Sequence, residues 1–246
     1  MALGDLPIGE EKRVRVREMF DRIAPRYDAL NRVMSVGLDQ RWRRRALEKI
    51  SVGPDDLVLD LACGTGDFCE LAKNRGARVV GVDFALQMLR TARSRGLDFA
   101  SVQGDGEWLP FRSSSVDVVT CGFALRNFVL LDAVMREIAR VVRPGGRIAL
   151  IDVDRPSWAP LRVAHSLYFD RIVPLVGGLV SDRQAYRYLP QSTAYLPPPE
   201  ELKNLLSAAG FLEVRREILL LGSAQILTGE RGPPTPVVGQ SKAGRS

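Results

Sequence analysis

The stretch "LDLACGTGDF", residues 59–68, runs from an apolar strand straight into Gly64-Thr65-Gly66. Three uses compete for such a turn: phosphate binding, binding of a nucleotide with no phosphate at that spot, or a tight turn and nothing more. A phosphate loop needs Lys-Ser/Thr after the glycines, and Asp67-Phe68 stands there instead. A dinucleotide fingerprint needs a third glycine three residues beyond Gly66, where helix and strand approach closely, and that position is Cys69. Asp67, in the first turn of the following helix, favours the helix dipole but repels a pyrophosphate docking there. The turn suits a ligand without phosphates at this point, and Cys69 and Asp67 together argue against a nicotinamide oxidoreductase.

Outward from the turn, the chain alternates. Strands are predicted over 57–62, 78–83, 99–105, 115–124 and 147–154, and helices over 65–76, 85–96 and 130–142, with "RPGG" (143–146) making a turn before the fifth strand. Strands alternating with helices imply parallel βαβ units. A helix over 200–209 and two strands, 212–221 and 223–229, joined at Gly222, complete the pattern. The expected fold is α/β: a doubly wound, mostly parallel seven-stranded sheet with helices on both faces. Residues 1–50 form an N-terminal helical cap, broken at Pro25, with Val16, Met19, Phe20, Ile23, Tyr27, Leu30, Val33 and Met34 on its apolar stripe. Residues 51–229 form the main domain. A proline-broken helical insertion at about 155–198 is long for a simple connection and reads as a lid or substrate wall. Residues 230–246 read as a disordered tail.

Ligands of such sheets bind at the carboxyl ends of the strands. Three carboxylates gather there. Asp60, within the first strand, can offset a ligand ammonium. Asp83, ending the second strand beside Phe84, can accept both hydroxyls of a ribose. Asp105, after the third strand and followed by Gly106, can accept from an adenine amino group. Each alone is also an ordinary cap or turn former. Together they call for a ligand carrying positive charge and hydroxyls, which describes S-adenosylmethionine.

The chain has 246 residues, 46% hydrophobic, with a formal net charge of +6. Residues 1–50 hold twelve Lys/Arg against eight Asp/Glu, which places four of the surplus charges there. The densest run, Arg41-Trp42-Arg43-Arg44-Arg45, reads as a solvated helix face or as a surface that approaches anionic phospholipid. No aromatic-interleaved basic stripe continues beyond it, so nucleic acid is not an expected partner. Cys63, Cys69 and Cys121 show neither zinc-type nor redox spacing, and no metal is expected. The N-terminus is charged from Asp5 onward, unlike a signal peptide, and the apolar run at 172–180 is too short to span a bilayer. The expected location is cytoplasmic, at most peripheral at the inner face of a membrane. The oligomeric state is open, a homodimer included.

"VLDLACGTGD", "GVDFALQMLRTA", "GDGEWLPF", "VDVVTCGFALRN" and "VVRPGGRI" resemble class I S-adenosylmethionine-dependent methyltransferases. "MFDRIAPRYDALNRVMSVGLDQRWRR", "GFALRN" and "AYRYLPQS" resemble, more narrowly, the C-methyltransferases of menaquinone and ubiquinone biosynthesis. The resemblance spans roughly residues 12–229. It implies that Thr65, Asp83, Asp105, Gly106 and Gly122 line the cofactor site; Asp60, Gly64, Gly66 and Phe84 are further candidates read from the turn and the strand ends. It implies S-adenosylmethionine as methyl donor and S-adenosylhomocysteine as product. The sequence departs from the family at Ala124, commonly glycine, and at Ile226-Leu227-Thr228, where a histidine is common. The second departure is expected to lie near the substrate.

Methyl transfer to a ring carbon needs an aligned, electron-rich ring and a dry site. A hydroquinone that loses a phenolic proton supplies such a carbon. Arg126 and Asn127 are the candidates to steady the phenolate and a proton-accepting water, and the resemblance adds Tyr27 on the cap. Arg126 also reads as a surface salt-bridge partner or helix cap, and Tyr27 as an amphipathic core residue. The expected acceptor is a prenylated hydroquinone, demethylmenaquinol first. Leu161, Leu167, Phe169, Ile172, Leu175 and Leu179 of the insertion could wall a tunnel for its tail. The rivals are C- or O-methylation of a soluble aromatic molecule, which the altered last strand favours, and a non-catalytic adenosyl-binding or RNA-interacting protein, which the basic N-terminus allows and the Arg126-Asn127 pair opposes.

Overall fold

The computed structural model describes residues 7–154, 156, 160, 188 and 192–233. The apolar residues singled out in the insertion, together with the run 172–180 and His165, lie outside the described residues, as do 234–246 and the side chains of Leu30 and Val33.

The cap is built from α1 (Gly9–Ile23), a single 3-10 turn at Pro25 (Ala24–Arg26), α2 (Tyr27–Met34) and α3 (Asp39–Lys49). Val16, Met19, Phe20 and Ile23 recur at three- and four-residue spacing, so α1 buries one stripe. That stripe meets Ala85 and Met88 at the start of α5 (Leu86–Ser94). α3 behaves differently. Its Trp42, Ala46 and Leu47 share a core with Val58, Val118 and Ile151 of the sheet, so it is a layer helix rather than part of a cover.

The strands are β1 (Leu57–Leu61), β2 (Arg78–Asp83), β3 (Ala100–Gln103), β4 (Val116–Gly122), β5 (Val142–Val153), β6 (Phe211–Leu219) and β7 (Ala224–Arg231). They form one seven-stranded sheet in the order β3-β2-β1-β4-β5-β7-β6. β7 runs antiparallel to both its neighbours, and the other pairings are parallel. The order reverses between β1 and β4, which pair directly, and this opens the crevice where such folds hold ligands. Successive residues of a strand point to opposite faces. Leu59, Leu61, Val119, Cys121, Ile148 and Leu150 therefore meet α6 (Leu131–Val141) and α7 (Pro199–Ala208). Val58, Val118, Ala149 and Ile151 meet α3 and α4 (Asp67–Lys73).

Two boundaries differ from expectation. "RPGG" does not separate helix from strand. β5 already starts at Val142, and the register jumps from Val116↔Val142 to Val118↔Arg147, so these residues form a bulge inside a continuous strand. Gly145, at φ 75°, supplies the left-handed residue that the bulge needs. Glu230 and Arg231, expected in the tail, pair in β7 instead.

Cys69 occupies the helix position that a dinucleotide fold reserves for glycine, and the close approach is made from the strand instead. A Cβ on Gly81 of β2 would lie 2.7 Å from the Phe99 ring, 2.8 Å from Cys63 Sγ and 3.1 Å from Cys69 Sγ. Gly81→Ala should overpack this junction and lower stability by roughly 1–3 kcal/mol; an unchanged denaturant midpoint would contradict the assignment.

Candidate active site

The glycine turn is held by its surroundings. Ala62, the first residue past β1, has φ 54°, Gly64 has φ 55° and Gly66 φ 91°. The Cys63 N–H donates to Val82 O (2.9 Å), and the Gly66 N–H donates to Cys63 O (2.9 Å). One Asp83 oxygen accepts the Gly64 N–H at 2.8 Å, and the other accepts the Ala85 N–H at 2.9 Å. Asp83 thus fastens the turn to the tip of β2 while facing the crevice. Burial pushes its carboxyl up to about 6, against the pull of those two N–H groups.

Asp60 sits deeper and is buried. Thr120 Oγ1 donates to its Oδ1 at 2.7 Å, and Cys69 Sγ donates to its Oδ2 at 3.4 Å. Burial raises its carboxyl to about 7, although the Thr120 bond and the nearby Arg43 charge oppose the rise. Thr65 is buried, and its hydroxyl donates to Asp28 Oδ1 of α2 at 2.5 Å. Asp105 accepts the Glu107 N–H at 3.0 Å and also pairs with Arg13 of α1. Arg13 reaches Glu107 as well, at 2.7 Å, so α1 is tied across this end of the crevice.

Two connected spaces result. The larger, about 680 Å³, is lined by Tyr27, Gly64, Asp83, Phe84, Asp105, Gly106, Gly122 and Asn127 among others, with Phe20, Met88, Phe123 and Phe128 adding an apolar wall. The smaller, about 250 Å³, lies under the glycine turn and is polar: Asp60, Thr65, Asp67 and Arg43 line it, and it shares Tyr27, Gly64 and Gly122 with the first. Gly66 lines neither and serves the turn, its Cβ position lying 2.8 Å from the Phe99 ring. Arg126 lines neither. Its guanidinium pairs with buried Asp152, donates to Ser192 Oγ at 3.0 Å and donates to Phe123 O at 2.9 Å. Asn127, the next residue, does face the larger space, and its Oδ1 accepts from the Tyr188 hydroxyl at 3.4 Å.

The run Arg41–Arg45 does not form one face. Arg41, Arg44 and Arg45 are exposed, whereas Trp42 and Arg43 are buried. Position 43 precedes buried Ala46 and Leu47 by three and four residues, so the helical period could have placed it on the buried stripe. Arg13 and Glu107 were also missed, since their meeting joins residues 94 apart in sequence. The departure at Ile226-Leu227 does not reach the site as expected. Both side chains are buried in the sheet core, and neither lines the two spaces, nor does Thr228. The departure at Ala124 does reach the wall of the larger one.

Residues 8–231 match the ubiE/COQ5 methyltransferase family. The protein belongs to that family. It is 44% identical over 220 residues to a protein named demethylmenaquinone methyltransferase from Thermus thermophilus, covering 87% of this chain and 100% of that one. It is 36% identical to a Geotalea daltonii protein named ubiquinone/menaquinone biosynthesis C-methyltransferase UbiE, covering 90% and 98%. Among solved structures, a Haemonchus contortus phosphoethanolamine N-methyltransferase 2 bound to S-adenosylmethionine superposes with TM-score 0.60 at 14% identity, over 78% of this chain and 53% of that one. The [4+2]-cyclase SpnF superposes with TM-score 0.64 at 17% identity, over 92% and 97%. These two establish the fold, which is that of class I methyltransferases, and the cyclase shows that fold alone does not fix the chemistry. Family membership does: the protein is an S-adenosylmethionine-dependent methyltransferase.

The residues present fit that cofactor. Gly106 and Gly122 line the larger space, and their lack of a side chain lets the Phe128 ring and the Arg43 guanidinium pack closely against that wall. The buried carboxyl of Asp60 provides a partner for a cation. A carboxyl pushed up to about 7 is protonated in mild acid and must ionise to receive an ammonium. Affinity for S-adenosylhomocysteine should therefore rise with pH toward neutrality, changing about tenfold per unit well below that pKa, and level off above it. Calorimetry from pH 5.5 to 8.5 checks this, and Asp60→Asn should flatten the profile.

Proposed function

We propose that this enzyme methylates a ring carbon of a demethylated prenyl hydroquinone, converting demethylmenaquinol to menaquinol. The observation that carries this reading is the apolar wall of the larger space, Phe20, Phe84, Met88, Phe123 and Phe128, with Tyr27 and Asn127 in the same lining. Such a wall accepts a flat aromatic ring and leaves the pair for its oxygens. The names of the relatives point to the same acceptor. The altered last strand, which favoured a soluble aromatic acceptor, is core and no longer argues for one.

S-adenosylmethionine supplies an electrophilic methyl group when bound, and the protein supplies position and dryness. α1 and α2 are tied to the rim of the site, Arg13 to Asp105 and Glu107, and Asp28 to the Thr65 hydroxyl and to Arg95 at 3.2 Å. Tyr27 is kept a neutral phenol, because burial raises its pKa above the ordinary value. It acts as a hydrogen-bond donor to the ring oxygen, not as a base. Asn127 holds the second oxygen or the water that takes the phenolic proton. Arg126 acts through the backbone: it ties Phe123 O to Asp152 and so fixes the turn that presents Asn127. The exposed arginines Arg41 and Arg44 of α3 are available to anionic lipid near the source of an oily acceptor, whereas Arg45 pairs with Glu217. Among the described residues no helix is long and apolar enough to cross a membrane.

Labelled methyl transfer to a panel of demethylated naphthoquinols, benzoquinols and soluble phenols tests the acceptor, and a soluble phenol outrunning the prenylated quinols would overturn it. Asn127→Ala should lower kcat ~10- to 100-fold with the unfolding midpoint retained. Arg126→Ala should instead cost ~3–5 kcal/mol of stability, because Asp152 is left buried and unpaired. Binding to anionic vesicles should weaken as salt is raised, and binding indifferent to salt would remove the arginines from the interaction.

A further inference from the structure

We propose that Tyr188 locks the Asn127 amide with an N–H, not its oxygen, toward the acceptor, so that the site selects a hydroquinone in its singly ionised form. This rests on the reading of the acceptor as a hydroquinone. Tyr188 lines neither of the two spaces, so it is a positioning residue that acts through Asn127.

An asparagine amide can face a ligand with either end, and the two ends ask for opposite partners. Both ends of Asn127 are engaged on the protein side. Its Oδ1 accepts from the Tyr188 hydroxyl at 3.4 Å, and its Nδ2 donates to Phe123 O at 3.5 Å. The reversed amide would set Oδ1 against the Phe123 carbonyl oxygen, one acceptor facing another. That carbonyl is itself fixed, because Arg126 Nη1 donates to it at 2.9 Å. Tyr188 holds the same orientation from the other end. Burial raises its phenol above the ordinary value, so the hydroxyl keeps its proton and stays a donor. The ring of Tyr188 packs against the cap cluster that includes Phe20, Ile23 and Tyr27. Four residues on, Ser192 Oγ accepts from Arg126 Nε at 3.0 Å, so this part of the chain grips both residues of the turn.

With Oδ1 engaged, Asn127 offers the larger space its second Nδ2–H. A donor beside a ring oxygen gains strength as that oxygen gains negative charge, and a charge-assisted bond is roughly twice as strong as a neutral one. Tyr27 stands in the same lining and is also a neutral phenol. Two donors at one wall suit a phenolate whose proton has passed to solvent before the methyl group moves. An N–H donated to a water would lower that water's basicity, so the partner of the amide is the ring oxygen.

Methyl transfer to a demethylated naphthoquinol at saturating S-adenosylmethionine, followed against pH, tests the assignment on the full-length protein. The kcat profile reports ionisation within the bound complex. Tyr188→Phe should move its acid limb up by about one pH unit, a roughly 10-fold loss at any pH on that limb, and leave KM for S-adenosylmethionine unchanged. In an Asn127→Ala background the same change should cost nothing more, because the amide it orients is gone. Asn127→Asp gives the ring oxygen only acceptors above neutral pH and should be slower there than Asn127→Ala. A Tyr188→Phe profile lying on the wild-type one overturns the proposal. So does an equal loss in the absence of Asn127, and so does Asn127→Asp outrunning Asn127→Ala, the mark of a site that wants a base. Should Tyr188→Phe not fold, the comparison of the two Asn127 variants still decides. Wild-type enzyme that methylates no hydroquinone would sink the acceptor reading and this proposal with it, an outcome seen before any variant is compared.

Discussion

The carboxylate of Asp83 holds two backbone N–H groups that belong to different strands' ends, Gly64 after β1 and Ala85 after β2. With the Cys63 N–H donating to Val82 O, it ties the glycine turn, left-handed at Ala62, Gly64 and Gly66, to the neighbouring strand. With it, the turn becomes a rigid lip between two spaces. The same clamp starts α5, whose first turn receives the cap residues Met19, Phe20 and Ile23. One side chain thus joins turn, sheet edge and cover. Its buried, raised pKa is the consequence of placing a charge at that junction, and the two N–H groups offset part of the desolvation.

The cover is held on by matched charges. α1 and α2 bring charged groups to the site only where the site offers opposite charge or a hydroxyl: Arg13 to Asp105 and Glu107, Asp28 to Thr65 and Arg95. Lys12 is buried beside them, donating to Phe128 O at 2.6 Å and lying 3.9 Å from the centre of the Tyr195 ring. Burial lowers its pKa to about 8, so the ammonium is weakly held in its charged form there. These are polar latches over a mostly apolar interior. Partly exposed ion pairs of this kind contribute little stability and reform readily, which suits a cover that must open to admit a ligand.

The order of elements was legible because parallel strands are buried on both faces and read as unbroken apolar runs, while glycines close the helices between them. The glycine turn and the acidic strand tips were legible for the same local reason. What sequence could not show was long-range pairing. Arg126 meets Asp152 and Ser192, 26 and 66 residues away, and the ring of contacts turns it from the cleft toward the fold. "RPGG" carries turn chemistry, and it does bend the backbone, but inside a strand whose partner absorbs the irregularity. Arg43 is an instructive case. Charge composition assigned it to a surface, while helical period assigned it to the core, and period prevailed because Trp42, Ala46 and Leu47 fix the face of α3 that meets the sheet.

Two departures from ordinary backbone geometry lie at the point where the strand order reverses. Ala62 and Phe123, the residues that leave β1 and β4, both take left-handed backbone without being glycine, at φ 54° and 62°. Such conformations cost on the order of 1 kcal/mol or more each and persist only where the surroundings enforce them. Buried polar atoms without hydrogen bonds occur there too, at Arg13 Nε, Arg43 Nε and Asp67 Oδ2, with Asp152 Oδ2 just behind. Away from this point, the sheet and its helices follow the apolar periods of their sequence. The stability of the layers maintains these left-handed and unpaired groups at the crevice, where a ligand can meet them. A charged, hydroxylated ligand would supply what these groups lack.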